Sequence, residues 1–208
     1  MTMRDTHLIA VLPSDHLGAA AIVVMARPAG RPATVIHLDI QPLAEKHRLV
    51  LAAVDKLDIQ IEVSDPFSHP FVIADVSQPL HGEVLYRAIE RRQPNGRRPF
   101  FRGEVQPARI SEKDACLQNV RGVHWIPGLA CRVALSRAVF DGTVRIAAGL
   151  PHGDELASAI KRFSLIPDAA AENAEPGDFL ALGAGALAHL NHRFNSQSPG
   201  GLVDLVYA

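Results

Sequence analysis

Aromatic residues and cysteines are scarce in this sequence of 208 residues. Only 5% of the residues are aromatic, although 48% are hydrophobic, so we expect a core built from small aliphatic side chains. The two cysteines, Cys116 and Cys131, are too few to stabilise a domain of this size through disulfides. The low cysteine content favours a reducing, cytoplasmic setting and leaves a disulfide between the two residues open.

Long apolar runs and a strong net charge are also absent. No run of about 18 apolar residues is present to cross a bilayer, and the amino terminus lacks the apolar stretch of a signal peptide. We therefore expect no membrane partner. The formal net charge of -1 excludes no other class of partner. It hides a gradient, because residues 81–145 carry 12 basic and 6 acidic side chains, whereas both ends of the chain are acidic.

Three consecutive strands open the chain, according to its pattern of apolar runs and turn signals. The runs cover residues 8–12, 20–26 and 33–40. A helix is predicted from Pro42 onwards, since apolar residues then recur at helical spacing, and His47 lies inside this apolar stripe. We interpret residues 59–63 as a further strand, because apolar and polar residues alternate there.

A β-hairpin is predicted for residues 131–149, around the pair Asp141-Gly142. Asp-Gly favours a type I′ turn, and β-favouring residues lie on both sides of it. In this hairpin Arg137 interrupts an otherwise apolar face. A buried arginine needs a carboxylate partner or an anionic ligand, whereas at the edge of the sheet its head group can reach water.

The remaining elements follow in an irregular order. Strands are predicted at residues 71–76, 100–110 and 123–126, and helices at residues 79–92, 154–164 and 179–194. Strands that follow one another pair antiparallel, and the helices between them can cover the sheet. This order predicts a single α+β domain over residues 1–208, with an antiparallel or mixed β-sheet and helices packed mainly on one face.

The most unusual composition is found in the loop of residues 91–102. Arginines, a turn signal and two adjacent phenylalanines occur together there. Guanidinium groups bind phosphates, and aromatic rings stack on nucleobases. The candidate ligand-binding residues are Arg91, Arg92, Arg97, Arg98, Phe100, Phe101, Arg102 and Arg137. The alternative is a solvated loop whose arginines pair with acidic parts of the protein or of a partner subunit.

Two further motifs resemble ligand sites but lack the rest of the pattern. Residues 183–188 match the glycine-rich fingerprint of dinucleotide-binding folds, but the sequence around them reads as one helix with packing glycines. His189 and His192 have the spacing of a metal-binding pair, yet no third ligand obviously completes it, unless His152 and its acidic neighbours do. We therefore expect neither a cofactor nor a metal.

These observations favour a non-catalytic binding or assembly module, with a protein partner or self-association. Its basic middle segment would contact an acidic protein surface or a polyanion. One alternative is a small hydrolase or transferase in which His124 or His152 activates a Cys or Ser nucleophile, for instance Cys116. Another is a nucleic-acid-binding protein that uses the loop of residues 91–102. The sequence does not decide whether the protein is an enzyme.

Overall fold

The described part of the chain folds into one mixed sheet and five helices. The computed structural model describes residues 6–91 apart from 29, 67 and 69, together with residues 104–111, 123–165 and 175–196. The strands are β1 (Thr6–Ser14), β2 (Ala19–Arg27), β3 (Ala33–Pro42), β4 (Phe71–Asp75), β5 (Glu104–Ser111), β6 (His124–Pro127) and β7 (Val144–Ile146). The helices are α1 (Ala44–Ser64), α2 (Gly82–Glu90), α3 (Gly128–Phe140), α4 (Gly153–Leu165) and α5 (Pro176–Ser196).

The seven-stranded sheet has the order β6-β5-β4-β1-β2-β3-β7. β2 pairs antiparallel with both β1 and β3, whereas β4 pairs parallel with β1. β5 and β6 continue the parallel half, and β7 lies parallel to β3. β1, β3 and β4 therefore run in the same direction. Their carboxyl ends meet at one edge of the sheet, which we call the carboxyl edge.

Helices cover both faces of the sheet. On β1, Leu8 and Ala10 contribute to one apolar cluster, whereas Ile9 and Val11 contribute to the other. The first cluster contains residues of α3, α4 and α5, and the second contains residues of α1 and α2. The predicted α+β fold with a mixed sheet is confirmed. The helices are divided between the faces, rather than lying mainly on one, because the central strands are apolar on both sides.

The first three strands and the start of α1 lie where the apolar pattern predicts them. The predicted strand at residues 59–63 is wrong, because α1 continues to Ser64. The buried Ile61 extends the apolar stripe of this helix, which includes Val54 and Leu57, by a further turn. The alternating pattern in this segment reflects the solvent-facing side of a helix, on which Ile59 and Val63 are exposed.

The predicted hairpin at residues 131–149 is also wrong, since its first half is helix α3. Cys131 and Leu135 are four residues apart and fully buried, which is the spacing of a helix packed on a sheet. Gly142 has φ of 68° and follows the last turn of α3. The Asp-Gly pair thus ends a helix, where glycine adopts the left-handed conformation readily, instead of joining two strands.

α5 packs closely on α3 because its inner face carries glycine and alanine. A Cβ atom added at Gly185 would lie 2.4 Å from the carbonyl oxygen of Cys131. At Gly183 it would lie 3.0 Å from Cγ2 of Val23. The interpretation of these residues as packing glycines on one continuous helix is confirmed. Within the described ranges, none of the helices has the length and apolar character to cross a membrane.

Candidate functional site

Three connections meet at the carboxyl edge and are joined there by hydrogen bonds. The Asp15 Oδ2 atom, just after β1, accepts a hydrogen bond of 2.9 Å from the backbone N–H of Leu80. The backbone N–H of Asp15 donates to Oε1 of Gln78, at 3.3 Å. The N–H of Leu43 donates to the carbonyl of Gly18, at 2.8 Å. The turn after β1 therefore holds both the start of α1 and the loop before α2.

A pair of histidines joins these two helix starts. His47 Nε2 lies 2.9 Å from His81 Nδ1, and the two rings meet edge to face with their centroids 5.1 Å apart. His47 is buried, with 6% of its surface exposed, whereas His81 is half-buried. Burial, followed by the charge that His81 can carry, lowers the pKa of His47 below its usual value of 6.5. His47 is therefore neutral at pH 7 and can accept a hydrogen bond from His81.

The backbone is unusual both at His47 and next to His81. Lys46 and His47 have φ of 54° and 63° in the first turn of α1. Residues with side chains rarely adopt this left-handed conformation, and such strain is concentrated at functional sites. Gly82, next to His81, lies so close to β4 that an added Cβ would be 2.9 Å from the backbone of Val76. These features place the imidazoles of His47 and His81 within hydrogen-bonding distance.

Asp75 ends β4 at the same edge and is buried. Its Oδ1 accepts hydrogen bonds from the backbone N–H groups of Ser77 and Ile110, at 2.9 and 3.2 Å. Its Oδ2 accepts a hydrogen bond of 2.7 Å from the hydroxyl of Ser77. Burial raises the pKa of Asp75, although these hydrogen bonds oppose the shift. The carboxyl group therefore joins β4, β5 and the loop before α2.

The substitution Asp75→Asn is expected to flatten the pH dependence of the unfolding free energy. Because the folded-state pKa is raised above 3.8, the contribution of this group to stability is complete below that pH and is lost as the pH rises through the raised value. Asn keeps an oxygen for the two backbone N–H groups and carries no charge. Urea unfolding is measured at about pH 4, 6 and 8. The unfolding free energy of the variant should increase relative to that of the wild type as the pH rises.

Asp141→Asn is the matched control, since this aspartate is exposed after α3. Its unfolding free energy should follow that of the wild type across the pH range. Asp75→Ala is expected to lose about 1–3 kcal/mol, because three donors lose their acceptor. If the curves of Asp75→Asn and the wild type are parallel, Asp75 is not the source of this pH dependence.

The candidate ligand-binding arginines are not brought together by the described residues. Arg91 follows the last residue of α2, whereas Arg137 lies on α3, and these helices cover opposite faces of the sheet. Arg137 is exposed and forms an ion pair of 3.5 Å with Asp141, so it does not interrupt a buried face. The other candidates lie outside the described residues: Arg92, Arg97, Arg98, Phe100, Phe101 and Arg102.

A cavity of about 460 Å³ lies between β7 and the start of α4. His152 lines it, has φ of 59° and forms a hydrogen bond with Glu155. The described part of the chain contains no group of three or more His, Cys, Asp and Glu residues arranged to hold a metal. The side chain of His192 and all of Cys116 are outside the described residues. What was predicted for the His189–His192 motif and for Cys116 therefore stays a prediction.

Comparison with known proteins gives matches among solved structures. No protein-family profile and no curated protein sequence matches the chain. A manganese-soaked nuclease domain of the human cytomegalovirus terminase has a TM-score of 0.55 and 8% identity, over 89% of this chain and 82% of that one. The inhibitor-bound, manganese-soaked form has a TM-score of 0.59 and 8% identity, over 92% and 85% of the two chains.

The chain has the fold of these viral nuclease domains. At 8% identity this similarity shows the fold alone. It nevertheless overturns the prediction of a non-catalytic binding or assembly module, because this fold carries a nuclease in the structures that the chain matches. That prediction depended on the basic segment of residues 91–102, which has the most unusual composition in the sequence but lies almost wholly outside the described residues.

The described residues do not fit a metal centre with several ligands. Magnesium and manganese prefer oxygen ligands, and both oxygens of Asp75 already accept hydrogen bonds. Asp15 Oδ1 is buried and has no hydrogen-bond partner among the described residues. It is a single oxygen atom, and no described group of three ligands surrounds it.

Sequence reasoning singles out His47 but misses Asp15, Asp75 and His81. One signal was available, because Asp75 directly follows the apolar residues 71–74 and Asp15 comes three residues after the apolar run of residues 8–12. The order of three strands, a helix and a strand also brings the ends of β1 and β4 together when these strands pair in parallel. His81 has no such signal, since the residue it contacts is 34 positions away.

Proposed function

We propose that this protein hydrolyses phosphodiester bonds in nucleic acid at its carboxyl edge. The observation that carries the proposal is the hydrogen bond between His47 and His81, on a fold that it shares with nuclease domains. A histidine oriented by a buried acceptor is suited to accept and donate protons near neutral pH. In this proposal His81 accepts a proton from the reacting water, and His47 holds the imidazole of His81 in position.

The proton transfers follow from the pairing of the rings. His81 donates its Nδ1–H to Nε2 of the neutral His47, so the Nε2 atom of His81 is left as an acceptor. There it removes a proton from a water molecule, whose oxygen attacks the phosphorus atom. The bond from phosphorus to the leaving sugar oxygen breaks on the side opposite the attacking water. A second water molecule donates a proton to that oxygen, and the His81 imidazolium releases its proton to the solvent. One water is consumed for each bond that is cleaved.

Asp15 supports this arrangement through the backbone. Its Oδ2 accepts a hydrogen bond from the N–H of Leu80, the residue directly before His81. The backbone N–H of Asp15 donates a hydrogen bond to Oε1 of Gln78, in the same loop as Leu80. Together with the close approach of Gly82 to β4, these bonds restrict where His81 can lie. Pre-organisation of this kind is required when a side chain must meet the reacting atoms without rearranging.

The test is cleavage of end-labelled single-stranded DNA, duplex DNA and RNA by the purified full chain. Each substrate is incubated at neutral pH with magnesium, with manganese or with EDTA, and the products are separated by size. We expect cleavage that persists in EDTA, because the His47–His81 pair requires no metal for the proton transfers. His16→Gln is the control, since His16 is exposed on the neighbouring turn.

The absence of cleavage on all three substrates would overturn the proposed function. Cleavage that requires a divalent metal would overturn the assignment of the proton transfers to the histidine pair.

The cytoplasmic setting and the protein partner or self-association predicted from the sequence stay predictions.

A further inference from the structure

An exposed apolar pair lies beside His81. Leu80 is 69% exposed and Val84 is 57% exposed, and they are four residues apart, at the beginning of α2. The backbone of Leu80 is held by the hydrogen bond to Asp15, so its side chain projects from a fixed point. Exposed apolar side chains grouped next to a candidate site are typical of a surface that contacts a ligand.

Two exposed cations flank His47 in the chain. Lys46 and Arg48 directly flank it in the first turn of α1, and both are exposed. Neither forms an ion pair with a described carboxylate. Cationic side chains that project into water next to a reactive group can contact the phosphates of a polyanionic substrate.

The histidine contact brings these two surfaces together. The ring centroids of His47 and His81 are 5.1 Å apart, so the exposed cations next to His47 and the exposed apolar residues next to His81 in the chain belong to the surface around one imidazole pair. A phosphate next to His81 is then close to the cations that flank His47, while its nucleobase can pack on the apolar pair that flanks His81. In a duplex the base is paired and stacked, and it cannot make this contact unless it leaves the stack.

We infer that the substrate of this site is unpaired nucleic acid. The base next to the reacting phosphate packs on Leu80 and Val84, and the neighbouring phosphates contact Lys46 and Arg48. This inference rests on the proposed function and names its substrate class. It follows from the arrangement of an apolar and a cationic surface around the His47–His81 pair.

Binding is measured by fluorescence anisotropy with a labelled single strand of about 12 nucleotides. The same strand with abasic sites and the matching duplex are the comparison probes, and a gel after each titration checks that the probe is intact. The wild type should bind the ordinary strand roughly tenfold more tightly than the abasic strand. The variant Leu80→Ser/Val84→Ser should bind the two strands equally, with an unchanged dependence on salt.

Substitution of the cationic residues should change the dependence of binding on salt. In Lys46→Gln/Arg48→Gln, the preference for the base-containing strand should remain. The slope of log affinity against log salt should fall by about 1.4, because each phosphate contact contributes about 0.7 on a single strand. The matched apolar control is Ile59→Ser/Val63→Ser near the other end of α1, where the two residues are 54% and 78% exposed. It should bind all probes as the wild type does.

Equal binding of the ordinary and abasic strands by the wild type, or tighter binding of the duplex, would overturn the inference. The inference would also be overturned if the control Ile59→Ser/Val63→Ser weakened binding of the single strand as much as Leu80→Ser/Val84→Ser does. Cleavage of the wild-type substrates is followed in parallel to separate the two claims. Cleavage without the preference for bases leaves the proposed function in place, whereas the absence of both binding and cleavage overturns both.

Discussion

The substitution His81→Gln is expected to lower the cleavage rate by roughly 10²- to 10⁴-fold, the usual contribution of a general base. Glutamine is similar in length but has no nitrogen that can take a proton from water at neutral pH. The loss should be found in kcat with little change in KM, since the contacts inferred for the substrate lie on other residues. Initial rates over a series of substrate concentrations measure the two parameters separately.

His47→Gln tests the positioning role of the second histidine. The amide oxygen of the introduced glutamine can still accept a hydrogen bond from the Nδ1–H of His81. We therefore expect a smaller loss of cleavage rate than in His81→Gln. His47→Leu removes the acceptor and should approach the loss of His81→Gln. A His47→Gln variant that loses as much activity as His47→Leu would contradict the role of His47 as an acceptor.

The pH dependence provides a second measurement on the same pair. The pKa of His47 is lowered below 6.5 by burial and by the charge that His81 can carry. In the wild type the rate should therefore fall in acid solution, below about pH 6.5, as His47 takes up a proton and can no longer accept the hydrogen bond. In His47→Gln this decrease should be shallower, because the amide does not titrate.

Gly185→Ala is expected to destabilise the fold by about 3 kcal/mol, at the upper end of the usual cost of overpacking. The added Cβ would lie 2.4 Å from the carbonyl oxygen of Cys131 and 2.7 Å from its carbonyl carbon. These are backbone atoms of α3, so the contact can be relieved only by moving α5 away from α3. The melting temperature should decrease by roughly 6–12 °C.

Gly153→Ala is the matched control for this substitution. A Cβ atom at this first residue of α4 would meet only the Cβ of Leu150, at the ordinary distance of 3.8 Å. We expect an unchanged or slightly higher melting temperature, since alanine favours a helix more than glycine does. If thermal unfolding shows the same melting temperature for Gly185→Ala as for the wild type, the close contact of α5 with α3 is wrong.

The sequence was informative wherever a local pattern decides the structure. The apolar runs of β1 and β2 are buried on both faces, and every second or third residue from Ala33 to Leu38 of β3 is buried. The stripe of α1 likewise identified a helix and placed His47 on its inner side. The failures occurred where two structures share one local pattern, as at Asp141-Gly142, where the same pair can end a helix or turn a hairpin.

The sequence by itself determined the strands that open the chain, the α+β class and the unusual position of His47. Only the tertiary structure decided that His47 meets His81, that Asp15 holds the loop before α2, and that Asp75 joins two strands. The reason is physical: these contacts arise from the parallel pairing of β1 with β4, which brings together segments far apart in the chain. Local propensity and spacing do not encode which strand ends will be neighbours.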